Sequence, residues 1–242
     1  MPGQATVFAS DFHLSSADPG GIEIFVRFLE QRVRGARAFF ALGDLFNLWI
    51  GPAQLDEPSL QPAFDALKAL VAGGTQVTLL HGNRDFLLGH REAAAWGVSI
   101  PGESLEASMH GMHIFLTHGD LFCTADRAYQ RMKTILRSRI VRGLVRMLPP
   151  GGVRHLAEGL RKQSRQAVQR KQRNETDIDP LAVDRLAGAR GVDAVLCGHV
   201  HRAHETRLDG GARLFVLSEW YQGRGVYAVA RDGTIELRSF PD

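Results

Sequence analysis

The feature that most constrains the fold is a pattern repeated five times: a short apolar run that ends in a block of Asp, His, Asn and Gly. The runs are Thr6–Ala9, Ala38–Leu42, Gln76–Leu80, His113–Thr117 and Asp193–Leu196. They are short, rich in β-branched or aromatic residues and closed by turn residues, so they read as strands. The blocks that follow them are Asp11-Phe12-His13, Gly43-Asp44, Gly82-Asn83-Arg84-Asp85, His118-Gly119-Asp120 and Gly198-His199-Val200-His201. Helical patterns at Ile22–Val33 and Pro62–Ala72 separate the first runs, and strands alternating with helices predict an α/β fold with parallel pairing. Two further runs, Leu214–Leu217 and Val226–Val229, with Arg231-Asp232-Gly233 at a turn, read as strand-turn-strand and make the sheet mixed. All five blocks lie at the C-terminal ends of strands, where open α/β sheets collect ligands.

A chain of 242 residues supports one full-sized core, or one core with a smaller insert. With 44% hydrophobic and 23% charged residues it reads as a soluble globular protein. No apolar run reaches the roughly 18 residues that a membrane span needs, and the N-terminus lacks a signal-peptide pattern. Cys123 and Cys197 are too few for a disulfide framework and fit a reducing, cytoplasmic setting.

The net charge of +3 is unevenly distributed. Between Arg127 and Arg173 fourteen Lys and Arg face the single acid Glu158, so this stretch carries +13 and the remainder −10. Such segregation marks a surface that meets a polyanion or an anionic membrane. Within it Leu136, Ile140, Val141, Leu144, Val145 and Leu148 recur at helical spacing, with Arg139, Arg142 and Arg146 around them. Pro149-Pro150-Gly151-Gly152 stops this helix, and a second helical pattern runs to about Arg173. The expected organisation is a core formed by residues 1–120 and 175–242, with residues 121–174 as a helical cap insertion.

Carboxylates, imidazoles and one amide oxygen form a donor set suited to Mn, Fe or Zn rather than Ca. Two divalent ions about 3.5–4 Å apart need one ligand that bridges them, and a carboxylate does this far more readily than an imidazole. Asp44 is the candidate bridge, because its block offers no other ligand.

Taken residue by residue, Asp11/His13, Asp44, Asn83, His118 and His199/His201 resemble the metallophosphoesterase superfamily with the calcineurin-like fold. The resemblance covers most of the chain outside the insert. It implies a four-layer α/β/β/α sandwich. It also implies one metal held by Asp11, His13, Asp44 and His201, and a second held by Asp44, Asn83, His118 and His199. Finer wording is similar to one branch, the UDP-2,3-diacylglucosamine diphosphatases of lipid A synthesis. The similar segments are Leu42-Gly43-Asp44-Leu45-Phe46 with Trp49-Ile50-Gly51, His81-Gly82-Asn83-Arg84-Asp85-Phe86, and His118 to Thr124 with Asp126, Tyr129 and Gln130. That branch implies Mn²⁺, release of UMP and a diacylated sugar 1-phosphate, and a helical cap that holds the acyl chains. Ser164 and Lys171 have the spacing of family residues that grip the headgroup. The pattern is broken at Pro52-Ala53-Gln54 in place of an acidic segment, at Asn47 where Glu is common, at Ala125 in place of Asp and at Val168 in place of Asn.

The residues themselves add to this. Many phosphomonoesterase relatives carry His after the Asn of the third block, where it protonates an alkoxide leaving group. Arg84 occupies that position and cannot release a proton at neutral pH. It can hold a phosphoryl oxygen and offset charge in the transition state, or else pair with Asp85. A phosphate leaving group needs no strong acid, so diphosphate cleavage is favoured. Asp44, Asn83, Arg84, His118 and His199 are the expected catalytic residues. Asn83, Arg84, Asp126, Tyr129, Ser164, Lys171 and His199 are the expected substrate contacts. The basic insert has Tyr129 as its one aromatic, so no nucleic-acid partner is expected. A nucleoside-diphosphate lipid, met at the anionic cytoplasmic face of an inner membrane, suits its aliphatic and cationic mixture. The alternatives are a metallophosphodiesterase acting on another phosphoester, such as a nucleotide or nucleic acid, and a non-catalytic interaction protein on the same fold. The oligomeric state is open. The histidines at 81, 90, 110, 113, 155 and 204 read as non-ligands.

Overall fold

The computed structural model describes residues 5–136 and 177–242. Its first sheet has six strands in the order β11-β10-β1-β2-β3-β4. These are β1 Thr6–Ala9, β2 Ala38–Ala41, β3 Gln76–Leu80, β4 Ser99–Gly102, β10 Gly225–Arg231 and β11 Thr234–Phe240. The strands β1 to β4 pair in parallel, whereas β10 runs antiparallel to β1 and to β11. The second sheet has the order β5-β6-β7-β9-β8. It comprises β5 Ser104–Met109, β6 Met112–Thr117, β7 Ala194–Cys197, β8 His204–Arg207 and β9 Arg213–Val216. There β6, β7 and β9 are parallel and the two outer strands antiparallel. Both sheets are mixed, as the sequence predicts.

Alternation along each strand sorts its side chains into layers, because successive residues point to opposite faces. Val7, Ala9, Phe39, Ala41, Val77 and Leu79 face α1 (Pro19–Phe28), α2 (Gln61–Ala72) and α3 (His90–Trp96), and pack on Phe25, Phe28, Phe64 and Trp96. Their neighbours Phe8, Phe40, Leu42 and Leu80 point the other way and meet Ile114, Leu116, Leu196 and Phe215 of the second sheet. On the far side of that sheet Phe115, Val195, Cys197 and Val216 pack against Val183 and Ala187. These belong to the helix Pro180–Arg190; α4 spans Arg127–Leu136, so this helix is α5. The result is the expected sandwich of helices, sheet, sheet and helix. On the inner face of the first sheet Phe8 stacks on its cross-strand partner Phe40, at a centroid distance of 5.3 Å. Truncating a buried ring of this kind to alanine costs about 3–5 kcal/mol.

Local signals set the helix ends. Asp18 caps α1 by accepting from Gly21 N at 3.0 Å, with Pro19 in the first turn. Asp179 caps α5 in the same way, accepting from Leu181 N at 3.0 Å, and Gly191 ends that helix in the left-handed region. The helix expected over Ile22–Val33 is α1 followed by a π-helical turn, Leu29–Val33. Of the cap expected over residues 121–174, only the part up to Leu136 falls among the described residues. The apolar face through Leu148, the Pro149–Gly152 break, Ser164, Val168 and Lys171 lie outside them.

Candidate metal centre

The five blocks meet at the C-terminal ends of β1, β2 and β3 of the first sheet and of β6 and β7 of the second. Neighbouring loops are laced together by the main chain: Asp11 N donates to Gly43 O, and His13 N to Asp44 O. Among the described residues, eight non-glycine residues have positive φ, and five of them are Asp11, His13, Asp44, His199 and His201. Left-handed backbone is costly for such residues and persists where the surroundings over-determine it, typically at functional sites. Two glycines make the close approach possible. A Cβ at Gly82 would overlap Asp44 Oδ1 and the Asp44 nitrogen, and one at Gly198 would overlap Asp11 Oδ2 and Ser10 Oγ.

The donor atoms converge in two groups that share carboxylates. In the first, His201 Nε2 is 3.3 Å and His13 Nε2 3.8 Å from Asp11 Oδ1, and His13 Nε2 is 3.3 Å from Asp44 Oδ2. In the second, His118 Nε2 is 3.0 Å from Asn83 Oδ1, 3.1 Å from His199 Nδ1 and 3.7 Å from Asp44 Oδ2. One ligand atom each from Asp11, His13 and His201 lies within 4.8 Å of the others, and the same holds for Asp11, Asp44 and His118. The outer nitrogens fix ring orientation. His118 Nδ1 is 3.0 Å from the Leu42 carbonyl, which can only accept, so Nδ1 carries the proton and Nε2 faces the cluster. Asp11 Oδ1 is buried without a hydrogen-bond partner, although unmet buried carboxylate oxygens are rare in folded proteins. An orphaned oxygen ringed by imidazole nitrogens fits a divalent cation.

Electrostatics agree with that fit. Burial opposes ionisation of Asp11, but the neighbouring His118 and His201 imidazoles outweigh it and hold the carboxyl at about 2. Asp44 is likewise held well below the usual range, against burial, by His118, His13 and Arg84. Two ionised carboxylates therefore sit in the protein interior. Burial and the charge of His118 push His199 down to about 4, which leaves its ring neutral and able to ligate. The thiols Cys123 and Cys197 are raised by burial and take no part.

Arg84 lies beside this cluster. Its Nε is 3.2 Å from Asp44 Oδ2, and its Nη1 donates to Asn47 Oδ1 at 2.9 Å. The alternative partner, Asp85, is engaged elsewhere. It accepts from the main-chain nitrogens of Gly82, Asp44 and Phe46 at 2.8, 3.3 and 3.3 Å, and so ties the second and third blocks together. Of the other expected substrate contacts, Asp126 accepts from Tyr129 N at 3.0 Å at the start of α4. The Tyr129 hydroxyl donates to Asp120 Oδ2 at 2.7 Å, and its ring lies 6.2 Å from that of His199, at 29°. Lys133 Nζ donates to Asp120 Oδ1 at 2.9 Å, so the underside of α4 rests on the fourth block through polar groups. Among the histidines read as non-ligands, His81 bonds the Leu88 carbonyl and His110 bonds Thr6, both outside the cluster.

Sequence reasoning did not single out Glu219, whose Oε2 is 2.9 Å from His201 Nδ1. The signal was available: Ser218-Glu219-Trp220 directly follows the apolar run Leu214–Leu217, as the five blocks follow theirs.

A family model described as calcineurin-like phosphoesterase matches residues 5–203. The UDP-2,3-diacylglucosamine hydrolase of Aeromonas salmonicida is 37% identical, covering 98% of this chain and 94% of that protein. The hydrolase of the same name from Azotobacter vinelandii is 37% identical, covering 98% of each. That from Pseudomonas aeruginosa is 36% identical, covering 89% of this chain and 91% of that one. A solved dimetal phosphatase from Danio rerio shares the fold, with a TM-score of 0.53 at 12% identity, covering 99% of this chain and 96% of that one. The chain is thus a hydrolase that belongs to the calcineurin-like phosphoesterase family, in the branch of the UDP-2,3-diacylglucosamine hydrolases.

Proposed function

We propose that this protein hydrolyses the diphosphate of UDP-2,3-diacylglucosamine, giving UMP and 2,3-diacylglucosamine 1-phosphate, with two Mn²⁺ ions. The observation that carries the reading is the convergence of five imidazole and amide side chains with the buried carboxylates of Asp11 and Asp44, where Asp11 Oδ1 is left without a hydrogen-bond partner. Asp11, His13, Asp44 and His201 would hold one ion, Asp44, Asn83, His118 and His199 the other, with Asp44 shared. Bound there, the ions supply Lewis acidity and lower the pKa of water toward neutrality.

The chain's own groups account for the choice of substrate. Arg84 offers guanidinium donors at the edge of the cluster and no proton to release, so it suits a leaving group that departs as phosphate. Water oxygen adds to one phosphorus and gives up a proton to solvent, the P–O bond to the bridging oxygen breaks, and the phosphate leaves with that bonding pair without a general acid. Asn47 and Asp44 hold the Arg84 side chain, and His118 and His199 lie together at 3.1 Å within the cluster. Asp126, Tyr129, Ser164 and Lys171 are proposed to meet the headgroup. The basic stretch 127–173 supports docking on the anionic cytoplasmic face of the inner membrane. No helix among the described residues is long and apolar enough to cross a membrane.

The test is product analysis. Purified protein with Mn²⁺ should convert UDP-2,3-diacylglucosamine to UMP and the lipid 1-phosphate, as read by mass spectrometry, and the Asp44→Ala variant should not. Cleavage of bis-p-nitrophenyl phosphate alone, with the lipid left intact, would assign the protein to another phosphoester.

A further inference from the structure

Glu219 has no place among the seven expected ligands, yet it is fixed against one of them. It lies in the loop between β9, which ends at Val216, and β10, two residues beyond the buried Leu217. Its Oε2 is 2.9 Å from His201 Nδ1, while His201 Nε2 points to Asp11 Oδ1 at 3.3 Å. An ionised carboxylate only accepts, so this contact places the proton on Nδ1 and leaves the Nε2 lone pair on the side of the cluster.

The same loop holds the first block by a second route. Trp220 N donates to the Asp11 carbonyl at 3.2 Å, and the Trp220 ring stacks on Phe12 at 4.5 Å and 21°. Phe12 in turn packs on Phe25 and Phe28 of the core. Two adjacent loop residues therefore brace two expected ligands of one half-site, Asp11 through its backbone and His201 through its ring. In the other half-site the comparable service to His118 comes from the Leu42 carbonyl. A carboxylate behind a ligating imidazole raises its basicity as well as fixing its tautomer, and losing such a partner typically costs about 10–100-fold in metal affinity.

We propose that Glu219 is a positioning residue for one of the two metal ions, acting through His201, and that it selectively tightens the half-site of Asp11, His13 and His201. This rests on the two-metal reading above. The experiment is Mn²⁺ titration of the metal-free full-length protein by calorimetry, with electron paramagnetic resonance at two equivalents of Mn²⁺. The Glu219→Ala variant should bind one ion with unchanged affinity and the other about 10–100-fold more weakly. Its spectrum should shift from that of an exchange-coupled pair to that of a single Mn²⁺. Glu219→Gln, whose amide oxygen still accepts from Nδ1, should lose less. Tyr221→Ala, an exposed neighbour in the same loop, should behave as wild type and so exclude general damage to the loop. A Glu219→Ala protein with both wild-type affinities and a coupled spectrum would overturn this inference alone, as would equal weakening of both ions. Wild-type protein that binds no Mn²⁺ would overturn the two-metal reading and this inference with it.

Discussion

The two halves of the centre are held by different means. The His118 side chain is 1% exposed and its outer nitrogen rests on a main-chain carbonyl, at the junction of the two sheets. His13 and His201 are 14% and 28% exposed, and the outer nitrogen of His201 rests on a side chain that is itself 39% exposed. The ring of His118 is thus oriented by the main chain directly after β2 of the first sheet, and that of His201 by a single loop side chain. Orientation of the first follows from the fold, whereas that of the second depends on Glu219. The open half is therefore expected to exchange its ion first and to respond more finely to substitution.

Substitutions test the difference between the halves, and the largest effect is expected where they join. Asp44→Ala removes the carboxylate that both share, and should lose activity on the lipid substrate together with tight Mn²⁺ binding, measured by turnover and by metal analysis. Chelation with EDTA should do the same to wild type, reversibly on adding Mn²⁺. Next in size is Arg84→Ala, which removes charge from beside the cluster without removing a ligand. Its kcat should fall about 10²–10³-fold at unchanged metal content. The halves themselves separate in the metal-free protein. His118→Ala removes one of the two hydrogen bonds to the buried Leu42 carbonyl, the Ser10 hydroxyl supplying the other, and should destabilise by about 0.5–1.5 kcal/mol in urea denaturation. His201→Ala, at a partly open position, should cost markedly less. Asn47→Ala should have the smallest effect, a kcat loss of roughly tenfold from a freed Arg84, because a part-exposed hydrogen bond to a charged group contributes about 1.5 kcal/mol. That loss should vanish in an Arg84→Ala background.

The core strands and the blocks that follow them were legible in the amino-acid order, for a physical reason, whereas the contrast between the two halves was not. Runs such as Ala38–Leu42 are buried on both faces, so they are apolar throughout and stand out, and the ligand blocks stand out against them. The strands β4 and β5 and the exposed β8, His204–Arg207, have no such run. They lie at sheet edges or bury one face only, and β4 contains Pro and Gly, so periodicity does not reveal them. The roles of Asp85 and Glu219 were hidden differently. Each acts on a loop or a ring that comes from elsewhere in the chain, and only the assembled fold brings them together. The Arg84–Asp85 alternative was settled only by the fold, where Asp85 is held by three main-chain donors and Arg84 by Asp44 and Asn47.

Five loops from two sheets are proposed to hold a pair of ions across Asp44. Anomalous diffraction from crystals grown with Mn²⁺ measures this. Two peaks about 3.5–4 Å apart are predicted, one on each side of the Asp44 carboxylate, with His201 reaching one and His118 the other. A single peak, or none within reach of Asp44, would contradict it.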